Sequence, residues 1–335
     1  MIGQIYKIHS DFYYVNTEKG IIECKLREVL KKAKTEVLVG DYVDIENFSA
    51  DTSLNFITSV VHRKNSLLRP KVANITRCII VTALKDPDIN FEQLDRFIAL
   101  SELNGMEPVL CFNKSDLDTD GTFGDYVRKI YSPLGYKIFF ISALSQKGTK
   151  EFFEILKDNV SLFYGMSGVG KSSIVKLLSD SKNLRIKKVS QKTGKGTHTT
   201  RHCEIYSVGE NVSVVDTPGF SNIKFDFLMP KEIEKLFREF KKSNFVCRFK
   251  DCLHINELGC EILENPDFFS VSRYESYKKF VEEAKIYKEK IKNSGNKSES
   301  AVKYNRGKNI TKISEYKRQL SRKVQKQNIT EEYND

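Results

Sequence analysis

The sequence predicts a multi-domain fold: an N-terminal antiparallel β-barrel, a central α/β domain, and a C-terminal α-helical domain followed by a basic tail. Three observations support this order. The first part of the chain carries short alternating strands, the middle alternates strands with helical stretches, and the last part combines helical spacing with clustered cysteines. A length of 335 residues suits about two or three domains. We expect them at 1–66, 67–224 and 225–291, with the tail at 292–335.

The composition indicates a protein that folds around packed cores and has a polyanionic partner. Hydrophobic residues make up 40% of the chain, yet no unbroken apolar run approaches the ~18–20 residues that span a bilayer. The N-terminus lacks the basic start and apolar run of a signal peptide, so we expect a cytoplasmic protein without membrane association. The formal net charge of +11 favours nucleic acid as the partner. The alternative is a lysine-rich surface whose charges are only solvated.

The barrel domain shows the period-two alternation of short strands. Alternating segments occur at 2–8, 12–14, 21–25 and 38–45, and 56–61 closes the series. Turns at this spacing favour a small five-stranded barrel of the OB type. Such barrels often bind nucleic acid, which predicts RNA binding. The alternative is a barrel that only packs against its neighbour, and the strand pattern leaves both open.

The central region has the strand and helix alternation of an open α/β sheet. Helical spacing occurs at 91–103. Apolar runs, typical of strands buried on both faces, occur at 78–84, 108–112, 137–141, 161–164 and 212–215. Polar motifs directly follow most of these runs, at the strand ends where open α/β sheets bind ligands.

A phosphate-binding loop follows the fourth run, with the sequence Gly-Met-Ser-Gly-Val-Gly-Lys-Ser at 165–172. Its glycines let backbone N–H groups point at phosphates, and a helix N-terminus follows. We expect Lys171 to pair with the β- and γ-phosphates and Ser172 to bind magnesium. The predicted phosphate contacts are Gly165, Met166, Ser167, Gly168, Val169, Gly170, Lys171, Ser172 and Ser173.

Two further motifs complete the predicted magnesium and γ-phosphate site. Asp216 ends an apolar strand, as expected for a carboxylate in the magnesium shell, and the N–H of Gly219 is placed to touch the γ-phosphate. The alternative for Asp-Thr-Pro-Gly is a plain turn, which its position after a phosphate loop disfavours. Thr199 or Thr200 is the candidate to complete the magnesium shell, and the sequence does not choose between them. The segment around these threonines, taken alone, is equally compatible with a polar linker.

The motif Asn-Lys-Ser-Asp at 113–116 predicts recognition of guanine. Asp116 can accept two hydrogen bonds that guanine offers and adenine lacks. We expect Asn113 to meet the other edge of the base, Lys114 to cover its face, and the Ser-Ala pair after the next strand to offer a backbone N–H to the guanine carbonyl. GTP is therefore predicted over ATP. The predicted base-site residues are Asn113, Lys114, Ser115, Asp116, Ser142 and Ala143.

The order of these motifs is rotated relative to an ordinary GTPase, in which the phosphate loop comes first and the base-reading loop follows. The central domain is therefore predicted to be a P-loop GTPase domain in circularly permuted order. Many GTPases place a glutamine directly after Asp-x-x-Gly to orient the attacking water, but this chain has Phe220. We expect slow intrinsic hydrolysis, with Lys171 and Gly219 at the reacting phosphate and His198 positioning the water. The alternative for His198 is a solvent-exposed loop histidine.

Four metal-ligand side chains cluster after the GTPase motifs: Cys247, Cys252, His254 and Cys260. Three thiolates and one imidazole with no spare position suit one closed, tetrahedral structural zinc ion, in addition to the magnesium that accompanies GTP. The alternative is a coincidental cluster of buried cysteines. The other cysteines lack ligand spacing and are predicted to be packing residues: Cys24, Cys78, Cys111 and Cys203.

Together these features resemble the bacterial RsgA family of small ribosomal subunit biogenesis GTPases (ribosome small subunit-dependent GTPase A). The most specific segments are Gly-Met-Ser-Gly-Val-Gly-Lys-Ser-Ser at 165–173, Gly-Thr-His-Thr-Thr at 196–200 and Cys-Arg-Phe-Lys-Asp-Cys-Leu-His at 247–254. The resemblance implies an OB-fold, a permuted GTPase domain and a zinc domain that bind the small subunit and its rRNA during late maturation. It leaves the basic tail unmatched.

The resemblance also implies that the small subunit stimulates GTP hydrolysis, which then serves as a release switch. We expect a monomer. Two other functions stay open: a nucleotide-gated RNA-binding module in which hydrolysis is incidental, and a GTPase that acts on another RNA or on a signalling partner.

Overall fold

The computed structural model describes residues 1–47, 55–67, 70–180, 204–208, 212–216, 223–241, 245–265, 267–294, 302–304 and 310–312. The chain forms two compact units. The first comprises Met1–Ile223, Lys235–Asn244 and Asn265–Ser276, and the second comprises Lys224–Glu234, Phe245–Glu264 and Tyr277–Asp335. No helix in the described ranges is long and apolar enough to cross a membrane.

Five strands close the N-terminal barrel. They are β1 (Ile2–His9), β2 (Phe12–Thr17), β3 (Gly20–Leu26), β4 (Tyr42–Asn47) and β5 (Asn55–Val60), with the short helix α1 (Glu28–Lys32) after β3. The strands pair in the order β1-β2-β3-β5-β4, and β4 returns to β1. All these pairs are antiparallel except β3 and β5, which run parallel. The predicted OB-like barrel is confirmed, with one parallel pair added.

The barrel interior is filled by apolar side chains that alternate along the strands. Ile5 on β1 lies opposite Val15 on β2, and both are fully buried. The rest of this core consists of Cys24, Leu26, Val43, Ile45 and Ile57. Burial, together with the charge of Glu23, raises the pKa of the Cys24 thiol to about 11. This cysteine is therefore a packing residue, as predicted.

The central domain is built on a six-stranded sheet that follows a short strand pair, β6 (Ser66–Leu67) and β7 (Val72–Ala73). The six strands are β8 (Arg77–Ala83), β9 (Glu107–Asn113), β10 (Lys137–Phe140), β11 (Asn159–Tyr164), β12 (Glu204–Ser207) and β13 (Val212–Asp216). Their order is β10-β9-β8-β11-β13-β12, and all neighbours are parallel except β12 and β13. The parallel strands therefore end at one edge, where the predicted motifs follow.

The strand β8 is buried on both faces of this sheet. Cys78 and Ile80 pack in a core with helices α2 (Phe91–Leu103) and α3 (Thr122–Tyr131). Ile79 and Val81 pack in a second core with α4 (Thr149–Glu154) and α5 (Lys171–Asp180). Two apolar faces explain the continuous apolar run in the sequence. Cys78 and Cys111 are buried packing residues, as predicted, whereas Cys203 lies outside the described residues.

The barrel and the central sheet are continuous through their edge strands. Strand β1 pairs antiparallel with β12, with Lys7 opposite Glu204, so that eleven strands form one sheet. The Nζ atom of Lys7 lies 3.3 Å from the Glu204 carboxylate. Tyr6 and Ile8 also pack against the central core. The barrel thus covers the β12 edge, which otherwise presents unpaired backbone groups.

The C-terminal part is largely helical, as predicted. It contains α6 (Arg238–Lys241), α7 (Glu261–Glu264) and α8 (Val271–Ser294), and a 3₁₀ helix at Pro230–Leu236. Two short strands, β14 (Val302–Tyr304) and β15 (Ile310–Lys312), pair antiparallel within the predicted tail. The domain boundaries given above stay predictions.

Arg273 lies in the first turn of α8 and belongs to the first unit. It is buried, with only 1% of its surface exposed. Arg273 donates from Nη1 to Asp95 on α2 at 2.8 Å, and from Nε and Nη2 to Glu239 on α6, both at 2.8 Å. Tyr131 on α3 donates its hydroxyl to Asp95 at 2.8 Å. Four buried polar groups thus tie together α2, α3, α6 and the start of α8.

Candidate nucleotide site and metal centre

Asn113 connects the three loops at the candidate nucleotide site. It ends β9, and its side chain is buried with 2% of the residue exposed. Its Nδ2 donates to the carbonyl of Val169 in the phosphate loop at 2.9 Å. Its Oδ1 accepts from the N–H of Ala143 at 3.0 Å. The predicted base loop, Ser-Ala loop and phosphate loop are therefore adjacent, although they are far apart in sequence.

The Ser-Ala loop uses its own backbone groups to hold its shape. The N–H of Ser142 donates to the carbonyl of Lys147 at 3.0 Å, and the Ser142 hydroxyl accepts from the N–H of Ser145 at 3.0 Å. With the N–H of Ala143 bound to Asn113, both predicted donors have protein partners. Contact of this loop with the guanine carbonyl stays a prediction.

Lys114 and Asp116 lie on the surface turn after Asn113. Lys114 has a left-handed backbone conformation with φ of 58°. Its Nζ donates to the carbonyl of Asp86 and lies 3.3 Å from the Asp86 carboxylate. Asp116 is exposed within the 3₁₀ turn Ser115–Leu117, and its contact with guanine stays a prediction.

The loop between β8 and α2 also lies at this site, although it carries none of the predicted motifs. Asp86 contacts Lys114, and the Cδ atom of Pro87 lies 3.9 Å from the position of a Cβ at Gly168. The loop therefore touches the base loop and the phosphate loop at once. Its only sequence signal is its position directly after a buried strand.

The phosphate loop requires glycine where the backbone is most crowded. At Gly165, with φ of 149°, an added Cβ would lie 2.2 Å from the carbonyl oxygen of Val81. At Gly170, with φ of 91°, it would lie 2.3 Å from the side chain of Asn113. Any larger residue at these two positions would displace β8 or Asn113, so the loop shape depends on both glycines.

Lys171 spans the phosphate loop from the start of α5. Its Nζ donates to the carbonyls of Gly165 and Met166, both at 2.7 Å. Burial lowers the pKa of Lys171 from its ordinary value. The loop thus encloses a cation at the base of a helix N-terminus, an arrangement suited to phosphate binding.

Four predicted residues of the nucleotide site lie outside the described ranges, as does Phe220. The four are His198, Thr199, Thr200 and Gly219. The backbone of Asp216 ends β13, which runs parallel to β11 in a register that places Val215 beside Leu162. Strand β13 therefore ends at the sheet edge from which the phosphate loop begins, and magnesium binding by Asp216 stays a prediction.

The four predicted metal ligands come together in the second unit. His254 Nδ1 lies 3.5 Å from the sulfurs of Cys247 and Cys252 and 3.3 Å from that of Cys260. The sulfurs of Cys247 and Cys260 are 3.9 Å apart, and all four ligand atoms lie within 4.8 Å of one another. Ligands bound tetrahedrally to zinc are separated by about 3.5–3.8 Å, so the set fits this ion. We call residues 224–234 and 245–264 the metal module.

A carboxylate shapes the loop that carries His254. The N–H groups of Leu253, Ile255 and Asn256 point at Glu257, at 2.8, 2.9 and 3.0 Å. Burial opposes ionisation of Glu257, but these backbone donors outweigh it and lower its pKa to about 2. The ligand loop is therefore held by its own acidic side chain.

Comparison with known proteins decides the family. The RsgA GTPase family matches residues 60–226, and the RsgA N-terminal domain matches residues 2–54. The chain belongs to the RsgA family. It is a GTPase, an enzyme that converts GTP and water to GDP and phosphate. The resemblance drawn from the sequence motifs is confirmed.

Relatives in this family match this chain over nearly their whole length. The small ribosomal subunit biogenesis GTPase RsgA of Caldanaerobacter subterraneus subsp. tengcongensis is 39% identical over 286 residues, which cover 84% of this chain and 95% of that protein. The protein of the same name from Clostridium beijerinckii is 37% identical and covers 84% of this chain and 97% of its own length.

Two solved structures share the fold. YjeQ from Thermotoga maritima has a TM-score of 0.71 and 33% identity, over 84% of this chain and 98% of that one. YloQ, a circularly permuted GTPase, has a TM-score of 0.70 and 29% identity, over 85% and 94% of the two chains. The permuted order predicted from the motifs is thus confirmed at the level of the fold.

Proposed function

We propose that this GTPase binds the small ribosomal subunit and its rRNA and acts in late subunit maturation. The relatives that match over 84% of the chain are named for small-subunit biogenesis, and this likeness carries the proposal. The net charge of +11 and the OB-like barrel support an RNA partner. GTP hydrolysis then serves as the switch that releases the protein from the subunit.

In this proposal the loops joined by Asn113 hold the nucleotide. Guanine lies against residues 113–116 and 142–143, and the phosphates lie against residues 165–173. Magnesium is bound by Ser172, Asp216 and either Thr199 or Thr200. The contacts of Asn113 with Val169 and Ala143 support this assignment, because they place all three loops side by side.

Hydrolysis needs a water-positioning group that the motif after Asp216 does not supply. Phe220 stands where many GTPases carry glutamine. The bound subunit places His198 beside the attacking water, while Lys171 and Gly219 contact the reacting phosphate. Replacing His198 by alanine should lower subunit-stimulated turnover by about 10²–10⁴-fold. The matched variant His62→Ala changes a histidine of the link after the barrel and should leave this turnover intact.

The two nucleotide-sensing segments connect to different modules. The segment with Thr199 and Thr200 leads along the chain into β12, which pairs with the barrel strand β1. The segment 216–219 leads into the metal module. There Phe225 packs on Phe280 with ring centroids 4.9 Å apart, and its N–H donates to Glu283 at 2.8 Å. Both modules can therefore respond to the γ-phosphate.

Zinc at Cys247, Cys252, His254 and Cys260 completes the proposal. The ion would cross-link the ligand loop 247–260, which contains no helix or strand, and so stabilise the metal module. We place the protein in the cytoplasm, acting as a monomer.

GTP turnover tests the proposal. The purified protein is assayed alone and with isolated small subunits, large subunits or whole ribosomes. We expect slow basal turnover that rises by orders of magnitude only with free small subunits. A rate indifferent to every ribosomal particle would contradict the assignment of the partner, and would favour a GTPase with another partner.

A further inference from the structure

A carboxylate lies against the proposed metal site without being one of its ligands. The Nδ1 atom of His254 faces the three cysteine sulfurs at 3.3–3.5 Å. The other ring nitrogen, Nε2, lies 3.3 Å from Oε1 of Glu234. Both side chains are largely buried, with 6% of His254 and 17% of Glu234 exposed. The imidazole therefore stands between the sulfurs and a carboxylate.

Glu234 is itself held in place by a lysine. The Nζ of Lys231 lies 2.6 Å from Oε1 of Glu234 and donates to the carbonyl of Cys252 at 2.9 Å. Lys231 and Glu234 are both on the 3₁₀ helix Pro230–Leu236. The ion pair of Lys231 and Glu234 therefore links the imidazole of His254 to the backbone carbonyl of Cys252. The lysine also offsets negative charge, because three thiolates around a divalent cation carry a net charge of −1.

We propose that Glu234 is a positioning residue for the metal site. Oε1 of Glu234 lies 3.3 Å from Nε2, so that with zinc at Nδ1 the Nε2–H would point toward this carboxylate and the contact would fix the ring plane. The inference rests on zinc binding at the site, as proposed above. Loss of a carboxylate partner of this kind typically weakens metal binding by about 10–100-fold.

The backbone of His254 is fixed by a different carboxylate. His254 has a left-handed conformation with φ of 57°, and the flanking N–H groups of Leu253 and Ile255 donate to Glu257. Glu257 therefore shapes the loop, whereas Glu234 orients the ring. A change at Glu234 should alter the metal bond of the histidine and leave the loop in place.

The experiment measures zinc affinity of the full-length protein by competition with a chelator of known affinity. It compares the wild type with Glu234→Ala, Glu234→Gln and the control Glu232→Gln. Glu232 is exposed on the same 3₁₀ helix, and a glutamine there removes one charge while it keeps an oxygen for the N–H of Met229. The absorption spectrum of the cobalt(II)-substituted proteins reports the ligand geometry as a second readout.

We expect Glu234→Ala to bind zinc about 10–100-fold more weakly, with a shifted cobalt spectrum. Glu234→Gln should fall between it and the wild type, because the amide oxygen keeps a polar partner beside Nε2 but loses the negative charge. The Glu232→Gln protein should match the wild type. Tight zinc binding by the wild type and by Glu234→Ala alike, with identical cobalt spectra, would overturn this inference alone. A wild-type protein that binds no zinc would overturn the proposed zinc site as well.

Discussion

The barrel and the metal module are joined to the GTPase domain by different means. The barrel strand β1 pairs with β12, and the barrel belongs to the same compact unit as the central sheet. The metal module belongs to the second unit and follows β13 along the chain. Strand pairing contributes to the first connection, and in the second the chain passes into the metal module after Ile223.

This difference determines how each region can be disturbed. The junction combines the backbone pairing of β1 with β12 at Lys7 and Glu204 with the packing of Tyr6 and Ile8 against the central core, so that a single side chain contributes little to it. A four-ligand metal site concentrates its stabilisation in four side chains. Single substitutions should therefore have large effects in the metal module and small effects at the junction of barrel and sheet.

The largest effect should follow loss of a metal ligand. Cys252→Ser is expected to release zinc and unfold the metal module, because a structural zinc site contributes roughly 10–16 kcal/mol of apparent binding free energy. Nucleotide binding by the first unit should persist. Zinc content, limited proteolysis and the affinity for a fluorescent GDP analogue measure these outcomes.

The matched control for that experiment is Cys24→Ala, which changes a buried cysteine in the barrel core. It should keep one zinc ion per chain. A Cys252→Ser protein with full zinc content and an unchanged proteolysis pattern would show that the cluster is not the metal site.

The next effect concerns the buried ion pairs of the first unit. Arg273→Ala should destabilise this unit by about 3–5 kcal/mol, since it leaves the charges of Asp95 and Glu239 buried without their partner. Urea unfolding, monitored by a signal from the first unit, measures the change in its free energy of unfolding. Lys285→Ala, which removes an exposed pair with Glu282 on the same helix, should change stability by about 1 kcal/mol or less. Equal effects of the two substitutions would contradict this account.

A smaller effect is expected at the nucleotide site. Asn113→Ala leaves the carbonyl of Val169 and the N–H of Ala143 without their partner, which costs about 1–3 kcal/mol. GDP affinity should fall by roughly 5- to 150-fold, the equivalent of that free energy, because the three loops lose their common contact. Asn104→Ala removes a side-chain bond at the end of α2 and should not change GDP affinity. An unaltered dissociation constant for Asn113→Ala would rule out the linking role.

The smallest effect should come from the ion pair at the junction of barrel and sheet. A double-mutant cycle with Lys7→Ala and Glu204→Ala should give a coupling free energy of about 0.2–1 kcal/mol, because both side chains are partly exposed. A coupling free energy of about 3–5 kcal/mol, the size expected for a buried ion pair, would mean that the junction depends on this ion pair rather than on strand pairing.

The sequence predicted the elements that have local signals. Alternation along 2–8 and 12–14 predicted the barrel strands, and the continuous run at 78–84 predicted a strand buried on both faces. The spacing from Cys247 to Cys260 predicted a ligand cluster that the fold does bring together. Local periodicity and short motifs suffice for such features.

Features that depend on distant pairs could not be predicted. Nothing in the sequence pairs Lys7 with Glu204, and Arg273 looks like any other cation of a basic C-terminal region although it is fully buried. Glu234 likewise has no spacing that marks it as a neighbour of His254. Such contacts are set by how the elements pack, and helical or strand periodicity does not encode them.

In the function that we propose, the nucleotide controls how the protein holds the small subunit. The most direct measurement is the affinity of the protein for isolated small subunits in the presence of GDP and of a non-hydrolysable GTP analogue. We predict tighter binding with the analogue by at least about fivefold, the lower end of typical coupling free energies. Equal affinities in the two nucleotide states would contradict the account.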